Sequence, residues 1–435
     1  MLVLRGQPIP DALRMYVPQG LEPGLIRKFP DDFRVFERHE GFLCTTSLES
    51  DMPDRVEFGS RRETGFVGVT LVKRLIKTPD AVAALAEMFG LRPEQVSIAG
   101  QKDARAETAQ RIVFDNVDLD VVARACRPEP LERRGPSSFI KDATVEPGAL
   151  RLSGFLANRF RIWVTLEGWR KEKVERYVAQ RLAPLGSANV IQYPNAYGPQ
   201  RFGRRKIGHD VGHAFIVEGA EAAFKMFVTQ TSRHERREIT EVREELGRCW
   251  ARAEETARQT GCSVAQVREE FVRMRDLLER VARDFQLEIE ERLVKEVLSL
   301  RSFDEAASSL LKDVGLWLGA YQAYWFNQVL AAVVSGALKL SGDAIPMYKD
   351  DPVVKNWYWK VGFGEAIPAQ INRRTAKLFP RGVAWRPTFT TVSGLKHVAN
   401  NGAWLCEFEL PPGAFATAFL DQLFEVIEWP HRTTR

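Results

Sequence analysis

The chain has 435 residues, which is enough for two or three domains that each bury a full hydrophobic core. Hydrophobic residues make up 45% of the chain and charged residues 27%, proportions that are typical of a soluble globular protein. No apolar run approaches the roughly 18 residues that a membrane span requires, and the first ten residues lack a signal peptide's apolar core, so we expect a cytoplasmic protein that does not contact membranes. The net charge of +5 is compatible with an anionic partner and by itself favours nucleic acid only slightly.

The sequence lacks the common metal and cofactor motifs. Its five cysteines are scattered, without a Cys-x-x-Cys pair or a histidine at ligand spacing, so we predict neither a disulfide framework nor a zinc site. The glycine-rich patterns that bind dinucleotides and nucleoside triphosphates are also missing. We therefore expect a protein that binds no metal and no cofactor. We also expect a monomer.

The first patterned segment in chain order is Leu25–Glu37. It places a basic residue, Arg27, three positions before Pro30-Asp31-Asp32-Phe33, and it ends on Glu37. As residue types alone, Arg27 and Glu37 are typical of solvated surface charges.

Residues 65–90 predict a strand followed by a helix. Phe66–Leu75 is a largely apolar run, typical of a buried strand. Thr78 can cap a helix, and Pro79 fits its first turn. Gly90 suits the left-handed conformation just past a helix end. The apolar residues at helical spacing between them are Val82, Leu85, Ala86 and Phe89.

The next two predicted strands, Val96–Ala99 and Arg111–Phe114, enclose a polar loop. The loop begins Gly100-Gln101-Lys102-Asp103-Ala104-Arg105. The pattern therefore presents one carboxylate, Asp103, on a turn between two basic side chains, Lys102 and Arg105.

A further strand is predicted around residue 160, and a helix from about Arg170 to Leu182 follows it. Apolar residues alternate along the strand, which is typical of one buried face. They are Phe160, Ile162, Val164 and Leu166. On pattern alone Phe160 is a core residue, and Asn158 precedes it by two positions.

Residues 193–206 mix aromatic, glycine and basic residues, which suits phosphate contact and base stacking. The candidate nucleic-acid-binding residues are Tyr197, Gln200, Arg201, Phe202, Arg204, Arg205 and Lys206. The alternative interpretation is that the glycines form a turn and Phe202 is packed.

Residues 233–300 are densely charged and carry two apolar stripes that step by three and four positions, a heptad pattern. Gly261 separates the stripes and Ser263 can cap the second helix, so we predict an antiparallel helical hairpin. We interpret the stripes as core, with a protein or RNA contact as the alternative.

Several of these segments resemble motifs of one known family. Gly100-Gln101-Lys102-Asp103, followed by Ala106, Thr108 and Gln110, is similar to the signature loop of the TruD family of pseudouridine synthases. Residues 25–37, 158–160, 193–203, 318–328 and 406–417 resemble five further TruD motifs. The chain departs from the family pattern at Arg27 (commonly lysine), at Ala196-Tyr197 (usually Tyr-Phe) and at Ala414 (commonly serine).

The resemblance implies a role for each motif residue. Asp103 is then the catalytic nucleophile, and Arg27 supplies the positive charge that keeps its carboxylate ionised. Asn158 fixes the loop or the uracil edge, and Phe160 contacts the target base. Lys102 is either a second electrostatic partner of Asp103 or a phosphate contact.

The resemblance also implies the fold. We expect an α+β protein whose pseudouridine synthase domain, residues 1–203 plus 380–435, is built on a mixed, largely antiparallel sheet flanked by helices. An α-rich TRUD domain, residues 204–379, is then inserted into it and contains the helical hairpin at about 233–300.

The implied function is an isomerase that converts uridine to pseudouridine in tRNA, at uridine 13 as in bacterial members of the family. The carboxylate could attack either C1′ of the ribose or C6 of the uracil. A catalytically inactive RNA-binding protein and a synthase for another RNA remain alternatives. A base methyltransferase is disfavoured because the chain lacks a glycine-rich cofactor loop.

Overall fold

The computed structural model describes residues 8–14, 20–52, 65–132, 135–150, 155–187, 190–232, 235–368, 378–379 and 382–428. The chain divides into two compact units. The sheet unit comprises residues 17–193 and 389–435, and the helical unit comprises residues 1–16 and 194–388.

The sheet unit is organised around one mixed sheet. Its described strands are β1 (Pro23–Ile26), β2 (Phe33–His39), β3 (Phe42–Leu43), β4 (Phe66–Arg74), β5 (Val96–Ile98), β6 (Glu107–Asp115), β7 (Ser137–Val145), β8 (Phe155–Thr165), β9 (Gly186–Ser187) and β10 (Val190–Pro194), and, after β11 and β12 of the helical unit, β13 (Phe389–Asn400), β14 (Ala403–Leu410) and β15 (Glu425–Glu428). The main path through the sheet is β7-β4-β6-β2-β8-β14-β13-β10-β9. The pairs β2–β6 and β1–β15 are parallel, whereas β4–β6, β2–β8 and β8–β14 are antiparallel. Together with its helices this sheet confirms the predicted α+β class.

The helices of the sheet unit are α2 (Thr78–Met88), α3 (Leu119–Ala125), α4 (Lys171–Leu182) and α13 (Ala416–Leu420). Apolar residues of α2 and α3 share one core with β4 and β6, in which Val82, Leu85 and Val122 pack with Val69 and Ile112. The core therefore lies against the face of the sheet that α2 and α3 cover.

The helix-start prediction at Thr78 is wrong in one respect. Helix α2 begins at Thr78 itself, its N-cap is Lys77, and Pro79 lies in the first turn as expected. The Thr78 hydroxyl accepts a hydrogen bond from the Lys102 backbone N–H at 3.0 Å instead of capping the helix. Gly90 has the expected left-handed conformation, with a φ of 65°.

Strand β6 is longer than the predicted Arg111–Phe114 and starts at Glu107. It is buried from Glu107 to Phe114 because it pairs with β4 along one side and, along the other, first with β2 and then with β5. Polar residues are tolerated in it because they have partners. For example, the Arg111 guanidinium pairs with Glu146.

The helical unit contains α1 (Asp11–Arg14), α5 (Gly208–Val217), α6 (Ala220–Thr229), α7 (Arg237–Thr260), α8 (Arg268–Phe285), α9 (Glu288–Leu300), α10 (Phe303–Ser309), α11 (Leu311–Val334) and α12 (Pro352–Lys360), with the short strands β11 (Ala344–Pro346) and β12 (Trp385–Pro387). The predicted hairpin corresponds to α7 and α8, but the segment up to residue 300 also contains α9. Helix α8 ends because Gln286 adopts a left-handed conformation, with a φ of 56°. None of the helices that the structure describes could span a membrane.

The boundaries between the two units fall at 16/17, 193/194 and 388/389. The domain limits expected from the sequence are 203/204 and 379/380. Residues 194–203 belong to the helical unit because Phe202 lies in its core and the Tyr197 N–H donates to Asn327 Oδ1 at 2.9 Å. The N-terminal residues Ile9 and Leu13 are buried in the same core.

Candidate active site

The loop that carries Asp103 is held at its backbone. As noted above, the Thr78 hydroxyl binds the Lys102 N–H, and the Gln110 Nε2 donates to the Gly100 carbonyl at 3.1 Å. Thr78 begins helix α2 and Gln110 lies on β6, so the loop is tied to two elements of the sheet unit. Both contacts fix the part of the loop that leads directly into Asp103.

The carboxylate of Asp103 has one buried cationic partner. Its Oδ1 accepts the Arg105 backbone N–H at 2.9 Å, and its Oδ2 forms an ion pair with the Arg27 guanidinium. The Asp103 side chain is 20% exposed, whereas that of Arg27 is only 3% exposed. The acid can thus be reached from solvent while its counter-charge is fixed inside the protein.

Two further contacts hold the guanidinium of Arg27. It lies over the Phe33 ring, with Cζ 4.1 Å from the ring centroid, and its Nη1 donates to Glu428 Oε1 at 2.6 Å. Its backbone is left-handed, with a φ of 59°, which costs a non-glycine residue about 1–2 kcal/mol. Such strain persists only where the surroundings determine the conformation, here just after β1.

Lys102 points away from solvent into a buried network. Its Nζ pairs with Glu37 Oε1 at 2.6 Å and lies 4.8 Å from the centroid of the Phe155 ring. Glu37 is fully buried, so its interpretation as a surface charge is wrong. Its Oε2 also accepts the Arg111 backbone N–H at 2.9 Å. This placement favours the electrostatic role of Lys102 over the phosphate contact.

Asn158 and Phe160 lie two positions apart on β8 and therefore on one face of the sheet. Asn158 pairs across the sheet with Glu37, and its buried Oδ1 lacks a hydrogen-bond partner in the described part of the chain. Phe160 is 7% exposed, stacks on Phe408 at a centroid distance of 5.5 Å and meets Phe33 edge-on at 6.2 Å. Since Phe33 also lies under Arg27, only one ring separates Phe160 from the ion pair of Asp103. The base contact of Phe160 stays a prediction.

Two residues of the predicted nucleic-acid-binding segment are buried in the helical unit. Phe202 is 1% exposed, as the packed alternative expects. The Arg205 guanidinium donates to the carbonyls of Phe227 at 2.6 Å and Gln230 at 2.9 Å. Burial, followed by the nearby positive charge of Arg243, lowers the pKa of Arg205 to about 10. These contacts correct the expectation that Arg205 and Phe202 face an RNA.

The remaining residues of that segment lie nearer the surface. Gln200 and Arg204 are exposed, and Arg201 and Lys206 are half-buried. The Arg201 Nε donates to the Gly319 carbonyl of α11 at 3.2 Å. Tyr197 is half-buried beneath Arg386, whose Cζ lies 4.2 Å from the ring centroid. Their RNA contacts stay predictions.

A family model described as tRNA pseudouridine synthase D (TruD) matches residues 15–358, well over half of the chain. The chain belongs to the TruD family. This membership confirms the resemblance found in the motifs and assigns the chain to the pseudouridine synthases, an isomerase family of enzymes.

Archaeal proteins are among the relatives of this TruD chain. It is 23% identical over 434 residues to "Probable tRNA pseudouridine synthase D 1" of Methanocaldococcus jannaschii, covering 96% of this chain and 99% of that one. It is 28% identical over 292 residues to "Probable tRNA pseudouridine synthase D" of Archaeoglobus fulgidus, covering 65% of this chain and 60% of that one. A crystal structure of a Methanosarcina mazei protein assigned to TruD superposes with a TM-score of 0.59 at 17% identity over 96% of this chain and 98% of that one, so the two share a fold.

Sequence reasoning missed two charged residues of the candidate site. Lys73 on β4 donates to the carbonyl of Asp103, and Glu428 on β15 pairs with Arg27. A signal existed for Lys73, because a lysine inside an apolar strand is buried only where it has partners. The sequence around Glu428 does not indicate its role, since its partner Arg27 lies 401 positions away in the chain.

The described part of this TruD chain contains no candidate metal-binding site. No group of three or more histidine, cysteine or acidic side chains there is arranged to hold an ion.

Proposed function

We propose that this TruD chain converts uridine to pseudouridine in tRNA and that Asp103 is its nucleophile. The observation that carries the proposal is the pairing of a partly exposed carboxylate, Asp103, with a buried guanidinium, Arg27, on a loop fixed at its backbone. In this arrangement, a substrate can reach an ionised carboxylate from the solvent.

The reaction needs no other reactant. The N1–C1′ bond of uridine breaks, the uracil turns, and a C5–C1′ bond forms; C5 then loses its proton and N1 gains one, so the product is an isomer. An ionised carboxylate can start this sequence by attack at C1′ or at C6. The Arg27 guanidinium forms an ion pair with Asp103 and so compensates the charge of its carboxylate.

The target uridine has to leave its stack to reach Asp103, as bases do in other enzymes that act on them. The unpartnered Oδ1 of Asn158 supports a role at the uracil edge, because uracil offers an N–H donor there. Lys102, held by Glu37, adds a second positive charge beside the loop. Phe160 would contact the base at the rim of its packed ring.

The substrate assignment draws on the relatives, whose names specify tRNA. We place the modified uridine at position 13, the position that the family resemblance implies. Among the residues expected to contact the RNA, Gln200 and Arg204 are the exposed ones. Recognition would rely on RNA shape, unstacked bases and backbone charge.

The proposal is tested by incubating the purified protein, without added cofactor, with a tRNA transcript and mapping pseudouridine by chemical probing. We expect product at uridine 13 and none when that uridine is replaced by cytidine. Asp103→Asn should bind the tRNA as well as the wild type but form no product.

The same assay distinguishes the alternatives. Pseudouridine at another position would contradict the assignment to uridine 13 but would still support the proposed reaction. Binding without product from the wild-type protein would contradict the enzyme assignment and favour an RNA-binding protein.

A further inference from the structure

The side chain of Lys73 lies directly beneath the backbone of the loop that carries Asp103. Its Nζ donates to the carbonyls of Ile76 at 2.9 Å, Asp103 at 3.1 Å and Lys102 at 3.4 Å. Two of the three acceptors therefore belong to the loop, one of them to Asp103 itself. The third acceptor, the carbonyl of Ile76, belongs to the segment just after β4.

Lys73 is fully buried, which is rare for a lysine and costs free energy unless its charge is compensated. The charged side chains of Asp103 and Lys102 act on it electrostatically. Arg27 pairs with the first of these and Glu37 with the second. Burial first, and then the charge of Lys102, lower the pKa of Lys73 to about 8, while Asp103 acts in the opposite direction.

We propose that Lys73 is a positioning residue of the reaction: its ammonium holds the carbonyls of Lys102 and Asp103 and so fixes the carboxylate of Asp103 where it meets the uridine. This inference rests on the proposed function. A fixed loop matters because a misplacement of about 1 Å at a reacting group can cost about 100-fold in rate.

The test compares single-turnover pseudouridine formation across pH for the wild type, Lys73→Met and Lys73→Arg. In the wild type, the rate falls as Lys73 loses its proton near pH 8. Lys73→Met lowers the rate about 100-fold at pH 7, leaves tRNA affinity unchanged and removes the decline near pH 8. Lys73→Arg retains part of the rate and shifts the decline to higher pH, because a guanidinium stays charged.

Lys141→Met is the matched control. Lys141 is also buried and also donates to two backbone carbonyls, those of Ser47 and Glu49, at 2.8 Å each. It pairs with Asp51 and not with the loop of Asp103. This variant therefore keeps both the rate and the decline near pH 8. A decline caused by titration of the uracil itself would occur in every variant.

Equal rates for Lys73→Met and Lys141→Met, or a decline near pH 8 that survives in Lys73→Met, would overturn the inference. If Lys73→Met does not fold, the profiles of the wild type and Lys73→Arg decide. A shared decline overturns the inference, and a shifted one supports it. A wild type that forms no pseudouridine would contradict the proposed function, whereas an active wild type with an unaffected Lys73→Met would contradict this inference alone.

Discussion

Arg27 has three energetically unfavourable features, and three contacts compensate them. It is buried, charged and left-handed, and it is held by the Phe33 ring and by the carboxylates of Asp103 and Glu428. A guanidinium can bind two carboxylates at once because its donors form a fixed fork, which a lysine ammonium cannot reproduce. Glu428 thereby orients Arg27 toward Asp103.

Truncating Arg27 tests this arrangement. Arg27→Met should lower the single-turnover rate about 100-fold, because it removes a charge that acts inside a largely buried site. Arg27→Lys should retain more activity than Arg27→Met, since it keeps the positive charge. The rates are measured with saturating enzyme, so that tRNA affinity does not enter.

The control for this prediction is Arg38→Met. Arg38 pairs with Glu409, at 2.6 Å, and not with the loop of Asp103. Similar losses in Arg38→Met and Arg27→Met would show that the rate responds to general damage in the sheet unit.

At the scale of elements, the start of α2 positions the loop between β5 and β6. The Thr78 hydroxyl accepts the Lys102 N–H at 3.0 Å and lies 3.2 Å from the Lys102 carbonyl. A backbone N–H left unpaired in a buried site costs about 1–3 kcal/mol. Helix and loop are therefore coupled through one side chain.

Thr78→Val preserves the shape of the side chain and removes its hydroxyl. We expect a loss of about 1–3 kcal/mol in the free energy of unfolding, measured with denaturant, and a lower single-turnover rate. Thr70→Val is the control, because the buried Thr70 hydroxyl donates only to the Cys44 sulfur, at 3.8 Å, within the described residues. An equal rate loss in both variants would argue against the coupling.

The sequence predicted the elements whose pattern is local. Helix α2, its stop at Gly90 and the turn at Asp103 follow from spacing and from residue type within a few positions. The length of β6 could not be predicted, because its burial depends on neighbours on both sides. Arg205 also misled the prediction. A basic residue in a basic segment gives no sign that carbonyls from α6 and the residue after it will bind it.

At the scale of the whole molecule, the chain has two units with separate cores, so unfolding need not be a single transition. The helical unit buries histidines that the proposed reaction does not use. His209 stacks on Tyr324 at a centroid distance of 5.1 Å and meets Phe202 edge-on at 5.5 Å. The stability of the helical unit should therefore decrease at acidic pH.

The direction follows from the pKa of His209. Burial first, and then His213, lower this pKa from 6.5 to about 4, so the folded state favours the neutral ring. The stability from this group is complete above pH 6.5 and is lost as the pH falls toward 4, by about 3 kcal/mol in total. The nearby Asp210, 3.8 Å from the ring nitrogen, can offset part of that loss.

Denaturant unfolding followed at several pH values between 4 and 7 measures this effect. His209→Phe keeps an aromatic ring and removes the titration, so its stability should change less over that range than the wild type's. Parallel curves for the two proteins would assign the acid sensitivity to other groups.

The single-turnover rate of Asp103→Asn tests the central claim most directly. Asparagine keeps the size of the side chain and removes the ionised carboxylate, so we expect tRNA affinity like that of the wild type and no pseudouridine at long times. Asp51→Asn is the control. Asp51 likewise forms an ion pair with a buried basic residue, Lys141, at 2.9 Å, so this variant should remain active. Pseudouridine formed by Asp103→Asn at the wild-type rate would contradict the account.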